Sequence, residues 1–275
     1  MADPLDSRTR GDLVGDGPQE LLALAEAAAR VAGALLLERF EAGRVRGVES
    51  KSTPTDLVSE ADVAAQHAIR ELIGARRPQD AFLAEEEGTN VAGASDLRWV
   101  VDPLDGTINF LYGIPFWCVS VAVQDRHGTL AGAVHDPTRD ETFTATRGEL
   151  PLLNGEPPTP SRPRAATLAQ ALVGTGFAYD ATVRGAQAQT LGELIAQVRD
   201  IRRCGAAALD LSWTAVGRLD AFFERTVKLW DTAAGALLCE CAGLEVHELG
   251  DRPGLPSGIL AAPPQFAPRL LELVG

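Results

Sequence analysis

Arg98-Trp99-Val100-Val101-Asp102-Pro103-Leu104-Asp105-Gly106-Thr107-Ile108-Asn109-Phe110 is the stretch on which the reading of this chain turns. Leu97 to Val101 is an apolar run of the kind that forms a buried strand, and it delivers Asp102 to its exposed end. Pro103 stiffens the turn and Asp105 follows three positions on, so two carboxylates converge on one point outside a sheet edge. Hard cations such as Mg²⁺ take that kind of oxygen ligand. Gly106 lets backbone approach a ligand closely, and Thr107 is placed to open a short helix whose free N–H groups favour a phosphate. Taken alone, Asp-Gly is equally a turn, with Asp105 or Thr107 merely a cap.

Other acidic sites lie on either side. Ala81 to Ala84 reads as a strand running into Glu85-Glu86-Glu87-Gly88, where three glutamates in a row would ordinarily be a solvated face. Upstream, Asp56-Leu57-Val58-Ser59-Glu60-Ala61-Asp62 follows Lys51, and the S-x-x-D spacing of Ser59 and Asp62 is a capping box that explains Asp62 without any ligand. Downstream, Asp231 in Trp230-Asp231-Thr232-Ala233-Ala234-Gly235 precedes a helix expected over Thr232 to Ala242, for which a simple N-cap suffices. Each site is ambiguous singly. Together they place carboxylates at strand ends and helix starts around a DPxDGT core.

The elements around them alternate. Helices are expected over Pro18 to Gly43, Ser59 to Ala75, Gly185 to Val198, Ala206 to Gly217 and Ala267 to Val274. A short Val/Arg segment follows the first helix. Strands are expected over Cys118 to Gln124 and Gly132 to His135, paired about a turn near His127-Gly128, and over Ala171 to Phe177, Ala221 to Glu224, Glu245 to Leu249 and Gly258 to Ala261. Five prolines between Pro151 and Pro163 mark a boundary. The expected organisation is a disordered tail over 1–17, an N-terminal α+β domain over 18–155 carrying most of the acidic sites, and a C-terminal α/β domain over 156–275 carrying Asp231.

Composition narrows the function. The chain has 275 residues with 25 Lys plus Arg against 38 Asp plus Glu, a net charge of −13 that repels phosphodiester backbones, so no nucleic-acid partner is expected. The most apolar stretch, Leu21 to Phe40, is broken by Glu26, Arg30, Glu38 and Arg39, which argues against a membrane span. The start has no apolar signal core, and Cys118, Cys204, Cys239 and Cys241 form no CxxC pair, so a cytoplasmic protein with reduced thiols is expected. His67, His127, His135 and His247 show no zinc spacing. Any metal would be held by oxygen. The chain's two lysines, Lys51 and Lys228, both lie beside acidic motifs.

The motifs Lys51 to Asp62, Ala84 to Gly88, Val101 to Phe110 and Trp230 to Gly235 resemble those of the inositol monophosphatase family of Mg²⁺-dependent, lithium-sensitive phosphatases. Weaker similarity at Arg203 to Asp210 and Gly217 to Glu224 extends the match from about Gln19 to near the C-terminus. The resemblance implies a layered α-β-α-β-α sandwich of the inositol monophosphatase and fructose-1,6-bisphosphatase type, commonly a homodimer. It implies that Glu85, Asp102 and the Leu104 carbonyl hold a first Mg²⁺, that Asp102, Asp105 and Asp231 hold a second, and that Asp62 sits at the edge of the cluster, where a third ion is in question. Gly106, Thr107, Ala207 and Glu224, with Asp105 and Asp231, match positions that face the substrate. The implied reaction is hydrolysis of a small phosphate monoester by metal-activated water, with Glu85, Thr107 and Asp62 as catalytic residues and inositol monophosphate the leading substrate. Histidinol phosphate, fructose 1,6-bisphosphate, NADP and 3′-phosphoadenosine nucleotides are rivals on the same core. An alternative of another class is a binding partner of the transcription machinery. One departure is Arg147-Gly-Glu-Leu-Pro-Leu-Leu-Asn-Gly155, where Leu150 and Pro151 interrupt the expected Gly-rich turn.

Overall fold

A computed structural model describes residues 17–43, 49–50, 57–58, 60–86 and 90–275. In chain order the elements are α1 (Pro18–Glu41), β1 (Glu49–Ser50), β2 (Leu57–Val58), α2 (Glu60–Arg76), β3 (Ala81–Ala84), β4 (Arg98–Asp105), α3 (Thr107–Leu111), β5 (Cys118–Asp125), β6 (Gly128–Asp136), β7 (Glu141–Thr146) and β8 (Leu152–Leu153). There follow β9 (Leu172–Thr175), α4 (Ala181–Leu194), β10 (Asp200–Arg202), α5 (Ala207–Ala215), β11 (Ala221–Arg225), α6 (Leu229–Cys241), β12 (Glu245–Leu249), β13 (Gly258–Ala262) and α7 (Ala267–Val274).

β3 to β8 form a six-stranded sheet in sequential order, antiparallel except for the β3–β4 pair. A five-stranded sheet has the order β10-β9-β11-β13-β12, with β9 parallel to both neighbours. Alternation along the strands explains the layering, because successive side chains leave opposite faces. Trp99, Val101, Val119 and Val121 pack against the Leu- and Ala-rich stripe of α1 and against α2. Val100, Ala122, Val134 and Phe143 point the other way, into α5 and α6. Those two helices also bury Phe222, Ile259 and Ala261 of the second sheet, whose far face, with Val173, Phe223 and Leu260, is covered by α7 and Leu194 of α4. The result is the expected α-β-α-β-α sandwich, with α5 and α6 shared between the sheets.

Some expectations shift. α4 begins four residues before Gly185, because the Asp180 carboxylate accepts hydrogen bonds from the Thr182 and Val183 amides and starts the helix there. α6 begins at Leu229 instead of Thr232, so Asp231 is not an N-cap. It is the third helical residue, and its carboxylate reaches back 2.6 Å to the Lys228 amide. β9 stops at Thr175, short of Phe177, and the chain leaves the sheet there toward the cleft. β7, unforeseen, pairs with β6 from Ala131↔Thr146 to Asp136↔Glu141. The interrupted loop at 147–155 turns through Gly148 and Gly155 at φ of 85° and 79°. Ser59, partner in the expected capping box, lies outside the described residues, as do Lys51, Glu87, the Val/Arg segment over 44–48 and residues 1–16. Gly17 caps α1. Among the described residues no helix is long and apolar enough to cross a membrane.

Candidate active site

Asp102 and Asp105 stand three residues apart on one strand, a spacing that in regular β structure sends side chains to opposite faces. The pairing shows why here it does not. Asp102 faces Ser120 and Asp105 faces Cys118, so three steps along β4 match two along β5, and the ladder is broken between them by a bulge. Pro103, with no N–H to give, sits inside that break. Both carboxylates therefore line one cleft of about 510 Å³, together with Glu85 and Asp231.

Backbone amides fix how each carboxylate is turned. The Leu104 amide donates to Asp102 Oδ1 at 3.0 Å, and the Lys228 amide donates to Asp231 Oδ2. The Ala208 amide in the first turn of α5 donates to Asp105 Oδ2 at 2.7 Å. An ionised carboxylate offers about four lone-pair sites, so one such bond orients it and leaves capacity for a ligand. Gly106 is what permits α5 to begin so close. Its φ is 92°, and a Cβ there would lie 3.0 Å from Phe116 O, 3.1 Å from Trp117 Cβ and 3.2 Å from Ala206 Cβ. It also caps α3, which opens at Thr107 as expected, so neither Asp105 nor Thr107 is the cap.

α2 contributes two residues one turn apart, Asp62 and Gln66, each 1 % exposed. The Thr107 hydroxyl lies 3.1 Å from Asp62 Oδ1 and 3.0 Å from the Leu104 carbonyl. Gln66 went unnoticed in the sequence. Its amide donates to Glu86 O at 2.8 Å and accepts from Glu86 N at 2.9 Å, pinning the turn that carries Glu85. Glu86 is consequently buried and is not part of a solvated face. Asn109, also overlooked, donates to Phe116 O and Cys204 O and ties α3 to the segment leading into α5.

The other wall is less acidic. Glu224 reaches the cleft from β11 because residue 176 is glycine, where a Cβ would lie 2.0 Å from the Glu224 carboxylate. Phe177, Tyr179, Arg203, Thr226, Lys228 and Pro256 are among the remaining lining residues. Ala207 lines the cleft through the first turn of α5. Beneath it, Asp210 is fully buried with neither oxygen in a full hydrogen bond, although the Cys204 thiol and the Gly205 amide act on it at longer range. Sequence offered a signal for Arg203 and Thr226 only in their place in or beside the weakly similar segments, and none for Pro256.

Charge crowding shows in the titration of these groups. Burial first, then the fields of Glu85, Asp105 and Asp231, push Asp102 well above the usual carboxylate range. Burial lifts Asp105 to about 6 against the opposing Ala208 and Ala207 amides, and lifts Asp231 well above its ordinary value with help from Asp105. Glu224 rises to about 8 through burial and the nearby Asp210. Among the described residues no lysine or arginine forms an ion pair with Asp102, Asp105 or Asp231. Nor do any three His, Cys, Asp or Glu side chains close into a ready-made metal cage. Oxygen-only and oriented by amides, the donor set fits hard divalent cations.

Comparison with known proteins agrees with this geometry. The profile of the inositol monophosphatase family matches residues 18–274. Inositol-1-monophosphatase of Mycobacterium leprae is 39% identical, covering 92% of this chain and 93% of its own. Nus factor SuhB of Pasteurella multocida is 38% identical, covering 92% and 95%. The crystal structure of the extragenic suppressor protein suhB from Bartonella henselae superposes with a TM-score of 0.83 at 33% identity, over 93% of this chain and 98% of that one. A match running from the first helix to the last, with the acidic cleft in place, means that this chain belongs to the inositol monophosphatase family.

Proposed function

We propose that the cleft hydrolyses a small phosphate monoester, with inositol monophosphate the leading substrate. The observation that carries this reading is the bulge that turns Asp102 and Asp105 into one cleft with Glu85 and Asp231, gathering four carboxylates in one place. Glu85, Asp102 and the Leu104 carbonyl would hold one Mg²⁺ and Asp102, Asp105 and Asp231 another, with Asp62 at the edge of the cluster and a third ion in play. When bound, the ions supply the positive charge that offsets the phosphoryl oxygens and the leaving oxygen. The protein does the rest. The Thr107 hydroxyl, shared between Asp62 and Leu104 O, and the Glu85 carboxylate orient the attacking water, and Glu85 accepts its proton. The Gly106 and Thr107 backbone faces the phosphate. Glu224 accepts hydrogen bonds from the hydroxyls of the leaving alcohol, and the first turn of α5 at Ala207 closes the floor beneath it.

Inhibition by lithium, a homodimer and a cytoplasmic location belong to the same reading. It is supported by the family membership and by four cysteines that are all free thiols. The test is phosphate release from a panel of monoesters, comprising inositol 1-phosphate, histidinol phosphate, fructose 1,6-bisphosphate, NADP and 3′-phosphoadenosine 5′-phosphate, with Mg²⁺ varied and lithium added. Highest kcat/KM on inositol 1-phosphate, dependent on Mg²⁺, is expected. The similarity to a Nus factor favours a second reading, in which the protein serves the transcription machinery as a binding partner. Hydrolysis of none of the panel would select it.

A further inference from the structure

Arg225 closes β11 immediately after Glu224, and strand alternation puts it on the opposite face, beside Phe223. Its side chain is 3 % exposed. Burying a guanidinium is costly unless its charge is matched, and an apolar side chain at this place would avoid the cost. Among the described residues no carboxylate hydrogen-bonds to it. Instead Nη1 donates to Gly250 O at 3.0 Å, Leu255 O at 3.4 Å and Pro256 O at 2.8 Å, while Nη2 donates to Val274 O at 2.7 Å. One side chain thus fastens the loop over 250–256 and the end of α7 to the strand that presents Glu224.

A second observation lies one residue further on. Thr226 has a φ of 73°, in the left-handed region that a β-branched residue seldom occupies. Such a conformation persists only where its surroundings over-determine it. Here the Thr226 amide donates to Ser257 O at 2.8 Å, and its hydroxyl donates to Arg225 O. The Ser257 amide in turn donates to Asp251 Oδ1 at 2.5 Å, and Arg252 and Leu255 bridge each other across the loop. Thr226 and Pro256 both line the cleft, next to Glu224, and neither brings a charge to it.

We propose that Arg225 is a positioning residue for the leaving alcohol: by holding Pro256 and the left-handed Thr226 in place, it fixes the neutral wall beside Glu224 and so sets affinity for the polyol part of the substrate. The inference rests on the phosphatase reading above. It predicts a selective effect, because the wall stands beside the alcohol and not among the carboxylates.

The experiment compares wild type, Arg225→Met and Arg225→Lys on inositol 1-phosphate and on the smaller ester glycerol 2-phosphate, with Mg²⁺ affinity followed by titration calorimetry. For Arg225→Met, KM for inositol 1-phosphate should rise about tenfold with kcat within about twofold of wild type, and KM for glycerol 2-phosphate should move much less. Arg225→Lys, which keeps a donor for some of the carbonyls, should fall between, and Mg²⁺ affinity should stay put in both. Should Arg225→Met fail to fold, Pro256→Gly loosens the same wall from the loop side and should raise the same KM selectively. Equal shifts on both esters, or a fall in kcat with KM unmoved, would make Arg225 a merely structural residue and overturn the inference alone. A wild-type protein that releases phosphate from neither ester would overturn the phosphatase reading and the inference with it.

Discussion

The wall of the cleft that carries Asp105 and the wall that carries Glu224 are assembled from different distances along the chain. Asp102, Leu104, Asp105, Gly106 and Thr107 come from one short run, and Leu104 supplies both the amide that orients Asp102 and a carbonyl that Thr107 contacts. On the far wall, Glu224 needs Gly176 for room, Thr226 needs Ser257, and Pro256 is held by an arginine that also grips Val274. The first wall draws its groups from one run, with Asp62 and the Ala208 amide bracing it from elsewhere, and the second draws its groups themselves from segments far apart in sequence. Damage to the first should therefore strike the chemical step, and damage to the second should strike recognition of the alcohol.

The strongest test of that contrast is Asp105→Asn, which keeps the shape and removes the charge. Turnover should fall by about a thousandfold or more with the melting transition intact, as steady-state kinetics and calorimetry would show. Near-normal activity at low Mg²⁺ would remove the first wall from the chemistry. Next comes Gln66→Glu, which replaces the donor facing Glu86 O with an acceptor. Groups that orient metal ligands are typically worth 10–100-fold in affinity, so Mg²⁺ binding by calorimetry should weaken by about that range, and the metal-free protein should melt below wild type because a buried acceptor then faces Glu86 O. Gly106→Ala forces a side chain onto φ of 92° and against Phe116 O, and should cost about 1–3 kcal/mol in urea unfolding.

The smallest effect belongs to Glu224→Gln and sharpens the contrast through pH. Folding raises the Glu224 pKa from 4.5 to about 8, so the folded protein holds that proton more tightly than the unfolded chain does. Its stability is then highest below the unfolded value and is lost as pH climbs toward the folded one. Without metal, Glu224→Gln should melt level with wild type near about pH 4 and a few degrees above it near about pH 9. A gap that opened toward acid would refute the assignment.

How much of this could be read from sequence follows the same division. The apolar run into Asp102, the glycine before Thr107 and the helices α1, α2 and α5 were legible because their signals are local. The bulge was not, since the convergence of Asp102 and Asp105 is read from a turn at Pro103 beyond the strand, whereas β4 runs on through Asp105. α6 was misjudged at its start because Asp231 caps from inside the helix. The alternation Glu141-Thr-Phe-Thr-Ala-Thr was legible in principle as β7 and was passed over. Gln66 and Arg225 act on backbone groups that tertiary folding brings to them, and nothing beside them in the chain announces it.

A pleated ribbon counts in twos, and the break between Asp102 and Asp105 turns an odd separation into an even one. Parity, then, is what this enzyme's geometry hangs on. Deleting Pro103 would remove the odd spacing and the bulge together: Asp102 and Asp105 would stand two apart on unbroken pairing, still on one face, without the kink that turns the Leu104 amide back to Asp102. Spacing and bulge can thus change together in this segment, but neither can change alone.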